Sequence, residues 1–594
     1  MKKYTSKIQD YFTDKREARV SDYVMGALVL YAGYEIVKSS FQWMKKKISS
    51  TGRLQASKVI TDRNAKLEEF IKKYENEVPS DIVKLILSSD ASKLAHLIKT
   101  RKVTSLQAVI TYGLQCARIG KEYNYIADID LEQAVNEAKI ADLKLENGEL
   151  LGPLHGVPIS MKDSFNVKGL RTTAGYTRFC NNIAVEDSDI ASLLKRQGAI
   201  VLTKSNVPQG LYAVETSNPV WGTALNPRNV QKSTGGSSGG EGGLVGSKCS
   251  PVGIGNDIGG SIRIPAAFCG VYGFKPTSSR ISNNGTIGMN GQYYSNIPGI
   301  NVSVGPIARS VDDLILITKS MFGQFSDPYT DQTPFTEPQI LDINNQKINI
   351  GYIARYPGIE VAPEIKSTLL DVVNKLKSYG YNLVEIEPSH FEELIYVGTT
   401  ILFNSHVVDP IIENAGDDKL LECYQTQVTV FKMSPFKRFL IKSLLNMKGE
   451  KRIVKMIDQI KTVDLTEYID LVRKFTELKN RFAKFYIDNK FEAIVSPVYP
   501  VPPFTAKSSK DHMFIAFTLL FNLLDWPAGS VPVKLMTDGS YSDSHNDLIT
   551  KLISSDMKDC KGLPIAIQVA GLANKDESVL RIMKDIDSYY RFDL

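Results

Sequence analysis

Between about residues 61 and 147 the apolar positions recur every three or four places, in the runs LEEFIKKY (67–74), DIVKLILSS (81–89), SLQAVITYGLQCARI (105–119) and LEQAVNEAKIADLK (131–144). That spacing predicts amphipathic helices, and Ser80 or Asp81 and Thr104 stand where N-caps belong. At 152–163, GPLHGVPISMKD, a turn with two prolines leads into a short strand of period two. Val157, Ile159 and Met161 then point to one face and Ser160 and Lys162 to the other. Lys162 reads equally as a solvated strand end or as a functional group. Downstream, helical and strand patterns alternate: SDIASLLKRQG then AIVLTK, KINIGYI, VNKLKSYG then YNLVEIE, RKFTELKNRFAKFYI then FEAIVSPV, and GLPIAIQVAG before DESVLRIMKDIDSYY. Runs of β-branched residues divided by amphipathic helices predict an α/β fold with a largely parallel sheet buried on both faces.

Three stretches break this rhythm. Tyr23 to Tyr34, YVMGALVLYAGY, is an apolar run flanked by Lys2, Lys3, Lys7, Arg16 and Arg19 before it and Lys45, Lys46 and Lys47 after it. It reads as a short or tilted spanning helix, an interfacial helix, or a soluble helix packed on the body, with a membrane anchor over about 23–43 as the expectation. Residues 435–457 place Phe436, Phe439, Leu440, Leu444 and Met447 on one helical face with Lys437, Arg438 and Lys442 around it, which suits either a membrane surface or an ordinary core-facing helix. The third, Gly235 to Pro265, has eleven glycines and no aromatic residue, and its LVG, VGIG and IRIP pieces are too apolar for a solvated linker.

The 594-residue chain is 43% hydrophobic, ample for a large core, and its net charge of +6 is concentrated in the N-terminal arm and in 432–455. No nucleic-acid reading motif accompanies that charge, so no nucleic-acid partner is expected. Six scattered cysteines without CxxC pairs suit a reducing compartment, and six histidines without HxH or HxxxH spacing predict no metal.

The glycine-rich stretch is where nucleophile chemistry can be sought. Gly235, Ser237 and Gly239 formally spell GxSxG, but PRNVQKST before them is no strand, so the nucleophile-elbow reading fails. Ser261 follows Ile258, Gly259 and Gly260, whose consecutive backbone N–H groups could hold an oxyanion beside a hydroxyl, and it is the better nucleophile. No histidine lies near it in the chain; a desolvated lysine relaying through a second hydroxyl is an alternative base, with Lys162 and Ser237 as candidates.

These residues carry a resemblance. GGSSGGEGGLVGSKCSPVGIGNDIGGSIRIPA together with GVPISMKD resembles the amidase signature family across its diagnostic pattern, most like the fatty acid amide hydrolase branch, which FNLLDWPAGSVPV (521–533) and KGLPIAIQVAG (561–571) also resemble. The resemblance implies one large α/β domain over 61–594, with a central twisted mixed sheet surrounded by helices. It also implies an N-terminal arm (1–60) with a helical anchor, and a membrane-binding insert at about 432–457. It implies Ser261 as acyl-forming nucleophile, Ser237 as relay serine after a cis peptide bond, Lys162 as base, and Ile258, Gly259, Gly260 and Ser261 as the oxyanion hole. Ser238, Asp257 and Arg263 would support them, and Leu211, Phe514, Phe517 and Trp526 would contact substrate, FIAFTLLFNLLDW (514–526) being either acyl-channel lining or a buried helix. No cofactor or metal is implied. The expected partners are a lipid amide substrate, a membrane surface and a second copy of the chain, on an endomembrane with the catalytic domain facing the cytosol. The alternatives are an amidase of short amides, a glutamine amidotransferase subunit, and an inactive membrane scaffold.

Overall fold

Among the described residues thirteen strands form in chain order: β1 (Ile126–Ile129), β2 (Pro158–Lys162), β3 (Ile200–Ser205), β4 (Ser217–Asn218), β5 (Gly222–Thr223), β6 (Val252–Asp257), β7 (Tyr272–Lys275), β8 (Ser303–Ala308), β9 (Asn349–Tyr352), β10 (Asn382–Glu385), β11 (Phe491–Pro497), β12 (Ala528–Leu535) and β13 (Pro564–Ala570). All but the small β4–β5 pair join one 11-stranded sheet of order β1-β3-β2-β6-β8-β7-β12-β13-β11-β9-β10. The computed structural model describes residues 54–594 except 290, 292–296, 338–347, 507, 509–513, 542, 591, 593 and 594.

The sheet is mixed, which corrects the largely parallel sheet that the helix–strand alternation predicts. Parallel pairing is confined to two wings, β3-β2-β6 and β11-β9-β10. Between them β6, β8, β7, β12, β13 and β11 pair antiparallel, as does β1 at one edge. The antiparallel centre is hard to see in the sequence because β8 and β12 carry Pro306 and Pro532 in their interiors, where proline argues against a strand, and β12 shifts register beside Pro532.

The helices Val311–Met321, Pro363–Ser378 and Asp576–Tyr590 pack on one face of the sheet with Ile159, Met161 and Ile254 beneath them. On the opposite face lie the short helices Gly239–Gly246 and Arg263–Cys269, both inside the glycine-rich stretch. Strand β2 is therefore buried on both sides, and Ser160 and Lys162 point toward the Gly239–Gly246 helix instead of toward water.

The expected helices of the N-terminal half form. Thr104 caps Ser105–Gln115 in a capping box, whereas Ser80 lies inside the Ser80–Ser88 helix, whose N-cap position is Pro79 with no side-chain cap. A helix over 54–74 runs across the boundary expected at 60/61, and its Ala56 and Val59 pack with Val220 and Trp221 of the body. The expected anchor at 23–43 lies outside the described residues; among those described, no helix is long and apolar enough to cross a membrane. The single helix expected at 435–457 is two, Pro435–Met447 and Lys451–Gln459, because Gly449 takes a left-handed conformation (φ 81°) between them.

Candidate active site

Lys162 closes β2, and Asn256 and Asp257 close the neighbouring parallel strand β6, so their side chains emerge together at the carboxyl ends of two adjacent strands. Lys162 has no exposed surface. Its Nζ donates to Ser237 Oγ at 2.7 Å, to Asn256 Oδ1 at 2.6 Å and to the Asn256 carbonyl at 3.3 Å. All three acceptors are neutral and, among the described residues, no carboxylate lies within ion-pairing distance, so nothing among them fully offsets the loss of hydration. Burial pushes the Lys162 ammonium down to about 7, against the opposing pull of Asp257 and Glu241. The solvated strand-end reading of this lysine is thereby corrected.

Ser237 follows a cis Gly236–Ser237 peptide bond, immediately before the Gly239–Gly246 helix. The glycines here leave room for close backbone contacts: a Cβ on Gly240 would meet the Asn206 amide nitrogen at 2.5 Å. From the other half of the stretch, Ser261 accepts at its carbonyl a 3.1 Å hydrogen bond from the Ser238 N–H, which draws the two serine-bearing turns together. Ser237, Asn256, Ile258 and Ser261 line one cavity of about 70 Å³, with Leu211 and Thr286 in its wall.

The turn after β6 is built around the Asp257 carboxylate. Its Oδ1 accepts from the Gly260 N–H at 2.7 Å and its Oδ2 from the Ile262 N–H at 3.0 Å, while Arg263 grips both oxygens (3.1 and 3.0 Å). Burial alone would raise this carboxyl, but the Arg263 guanidinium overrides it and holds it well below the usual carboxylate range. Arg263 also donates to the Thr518 carbonyl, Asn522 Oδ1 and Gln568 Oε1, tying the turn to the Ala516–Leu523 helix and to β13. Gly260 sits at φ 123°, with Thr518 Oγ1 only 2.3 Å from where a Cβ would be, so no other residue fits. The Gly260 N–H is thus committed to Asp257, which takes it out of the expected donor set, whereas Ile258, Gly259 and Ser261 keep uncommitted N–H groups among the described residues.

Residues 107–580 match the profile of a family described as Amidase. The chain belongs to the amidase family. Among its relatives is fatty-acid amide hydrolase 1 of Sus scrofa, 29% identical over 73% of this chain and 76% of that one. Acetamidase of Emericella nidulans is 28% identical over 84% of this chain and 89% of its own. A solved fatty acid amide hydrolase shares the fold with a TM-score of 0.77 at 24% identity, covering 91% of this chain and 95% of that chain. As a member of the amidase family, the protein is a hydrolase of amide C–N bonds.

Of the four residues expected to touch substrate in this amidase, Leu211 lies beside Ser261, lining both the cavity described and a second, apolar one of about 40 Å³ with Val214, Phe403 and Ile515. Phe517 packs on Tyr356 with ring centroids 3.7 Å apart and planes tilted by 30°, the Phe514 ring lies 6.3 Å from Tyr499, and Trp526 packs against Tyr486 and Phe482. These three are core residues, and it is Ile515 of the same segment that reaches the cavity. Asn256, which accepts from Lys162 at 2.6 Å, is not among the residues expected from sequence; a polar pair ending the apolar strand VGIGND is its only local signal. Thr518, Asn522 and Gln568 lie more than 250 residues from Arg263 and carry no local signal at all.

Proposed function

We propose that this amidase hydrolyses fatty acid amides, N-acylethanolamines and primary fatty amides, through an acyl-enzyme on Ser261. The observation that carries this reading is the fully buried Lys162–Ser237 hydrogen bond at 2.7 Å, opening on a cavity that Ser261 shares. Neutral Lys162 takes a proton from Ser237 as Ser237 takes one from Ser261, whose oxygen attacks the amide carbonyl. The oxyanion rests on the Ile258, Gly259 and Ser261 N–H groups. The proton then passes through Ser237 to the nitrogen, the C–N bond breaks, and the amine leaves neutral. Water repeats the sequence on the ester, releasing the fatty acid and restoring Ser261.

The preference for a fatty acyl group draws on three further features. Beside Ser261 the smaller cavity is lined almost wholly by apolar groups, among them Leu211, Val214, Ile264, Leu402 and Phe403. A larger cavity of about 560 Å³ shares Met289 with the first and carries Ile297, Val407 and Leu465. Finally, the Pro435–Met447 helix buries no residue; Phe436 (74% exposed), Phe439 and Met447 face outward beside Lys437, a surface suited to a membrane carrying such lipids. In this reading the chain works on an endomembrane with its catalytic domain facing the cytosol.

The test is turnover by the purified full chain of a long-chain N-acylethanolamine and a primary fatty amide, beside acetamide and glutamine. The reading expects kcat/KM on the fatty amides to exceed that on acetamide by about a hundredfold or more, the scale of burying several methylenes. Preference for acetamide would favour a short-amide enzyme, preference for glutamine an amidotransferase subunit, and no turnover a scaffold.

A further inference from the structure

The Gly239–Gly246 helix carries one carboxyl that the hydrolytic scheme leaves unused. Glu241 has no exposed surface, and no lysine or arginine nitrogen lies within ion-pairing distance of it among the described residues. Its Oε2 accepts a hydrogen bond from Ser160 Oγ, and the Ser205 hydroxyl also faces the carboxyl. Strand β6 makes room for it, since a Cβ on Gly253 would fall 2.1 Å from Oε2. An unpaired buried carboxyl is a costly way to fill space that an apolar side chain would fill better.

Its placement connects it to the site twice. Ser160, which holds the carboxyl, and Lys162 lie two residues apart on the same face of β2. Glu241 is also four residues beyond Ser237, which accepts from Lys162, within the first turn of the helix that follows. The other charged groups facing this region are Lys204 of β3, paired with Asp163, and Asp257 of β6, paired with Arg263; the Cys116 thiol approaches from the turn after the Ser105–Gln115 helix. With those two acids already matched, Glu241 is a buried carboxyl left to balance Lys162.

We propose that Glu241 is a positioning residue for Lys162, setting how readily that lysine releases and regains its proton. The inference rests on Lys162 acting as the base of the hydrolytic scheme. Burial raises the Glu241 carboxyl and lowers the Lys162 ammonium, so the two share a proton over one range and the pair is net neutral whichever of them holds it. When Glu241 is ionised it holds the proton on Lys162; when it is protonated it releases that pull.

The experiment is the pH dependence of two rates in the full-length Glu241→Gln variant: kcat/KM for amide hydrolysis and the rate of Ser261 labelling by a fluorophosphonate. Glutamine keeps the size and an acceptor for Ser160 but removes the negative charge. The acidic limb of both profiles should move to lower pH, by at most about one unit, the full effect of one nearby opposite charge, with KM unchanged. Ser160→Ala should move it the same way by less, because losing that hydrogen bond makes Glu241 harder to ionise, and it serves if Glu241→Gln does not fold. Limbs that stay in place, or move to higher pH, overturn the inference while leaving the hydrolytic scheme intact. A wild-type labelling rate with no acidic limb would overturn the scheme and this inference together.

Discussion

A lysine buried among neutral oxygens is held near the pH at which it can both lose and regain a proton. Lys162 is such a group, lowered to about 7 by its burial. Below that pH it is charged and cannot accept from Ser237. We therefore expect kcat/KM to climb about tenfold per pH unit on the acid side and to level off above about pH 7–8. A profile flat between about pH 6 and 9 would contradict the role of Lys162. Replacing Ser261 by Ala should lower turnover by more than about a thousandfold while leaving the unfolding transition in place; near-normal turnover would remove Ser261 from the scheme. Arg263 is a different kind of residue. Arg263→Leu leaves Asp257 buried and unpaired and frees the turn from Thr518, Asn522 and Gln568, so urea unfolding should show a loss of about 3–5 kcal/mol. A loss under about 1 kcal/mol would mean that the clamp does not hold the turn.

At the scale of elements, the Pro435–Met447 helix is attached by its polar groups and leaves its apolar face in solvent. Arg438 donates to the Ile460 carbonyl at 2.6 Å and Lys442 pairs with Asp458, while Phe436 and Phe439 project outward. Phe436→Ser with Phe439→Ser should change stability by no more than about 0.5 kcal/mol, since neither ring is buried, yet reduce sedimentation of the protein with anionic phospholipid vesicles. Unchanged vesicle binding would argue against a membrane role for this face. The five outward apolar positions were legible from helical spacing, but the break at Gly449 was not, because one glycine in a periodic pattern is tolerated as often as it terminates. Strand legibility followed composition: β3, β9, β10, β11 and β13 follow or precede clear amphipathic helices, whereas β8 and β12 are interrupted by proline and glycine and find their place only through their neighbours. The parallel wings could therefore be anticipated and the antiparallel centre could not.

For the whole molecule, the site is assembled from parts distant in sequence. Lys162 and Ser237 are 75 residues apart, and Arg263 reaches 305 residues to Gln568. The reacting groups were legible because each sits in a short, unusual stretch; the residues that hold them were not, because a contact between separate elements leaves no period in either. The helix at 54–74 is integral to this body, burying Leu67 and Phe70, the latter against Gly113, where a Cβ would meet the ring at 2.8 Å. A chain beginning at residue 76 should be less stable than one beginning at 54 by several kcal/mol, about 1.5–3 for each large apolar side chain lost, as read by thermal unfolding. Equal stability of the two would show that the helix contributes nothing to the core.

The account as a whole turns on which oxygen becomes acylated. Acid-quenching the enzyme within its first turnovers of a long-chain N-acylethanolamine, then mapping the adduct by peptide mass spectrometry, reads this directly. The predicted result is a fatty acyl ester on Ser261, absent from Ser261→Ala; an ester on Ser237, or no acyl adduct despite continuing turnover, would contradict it.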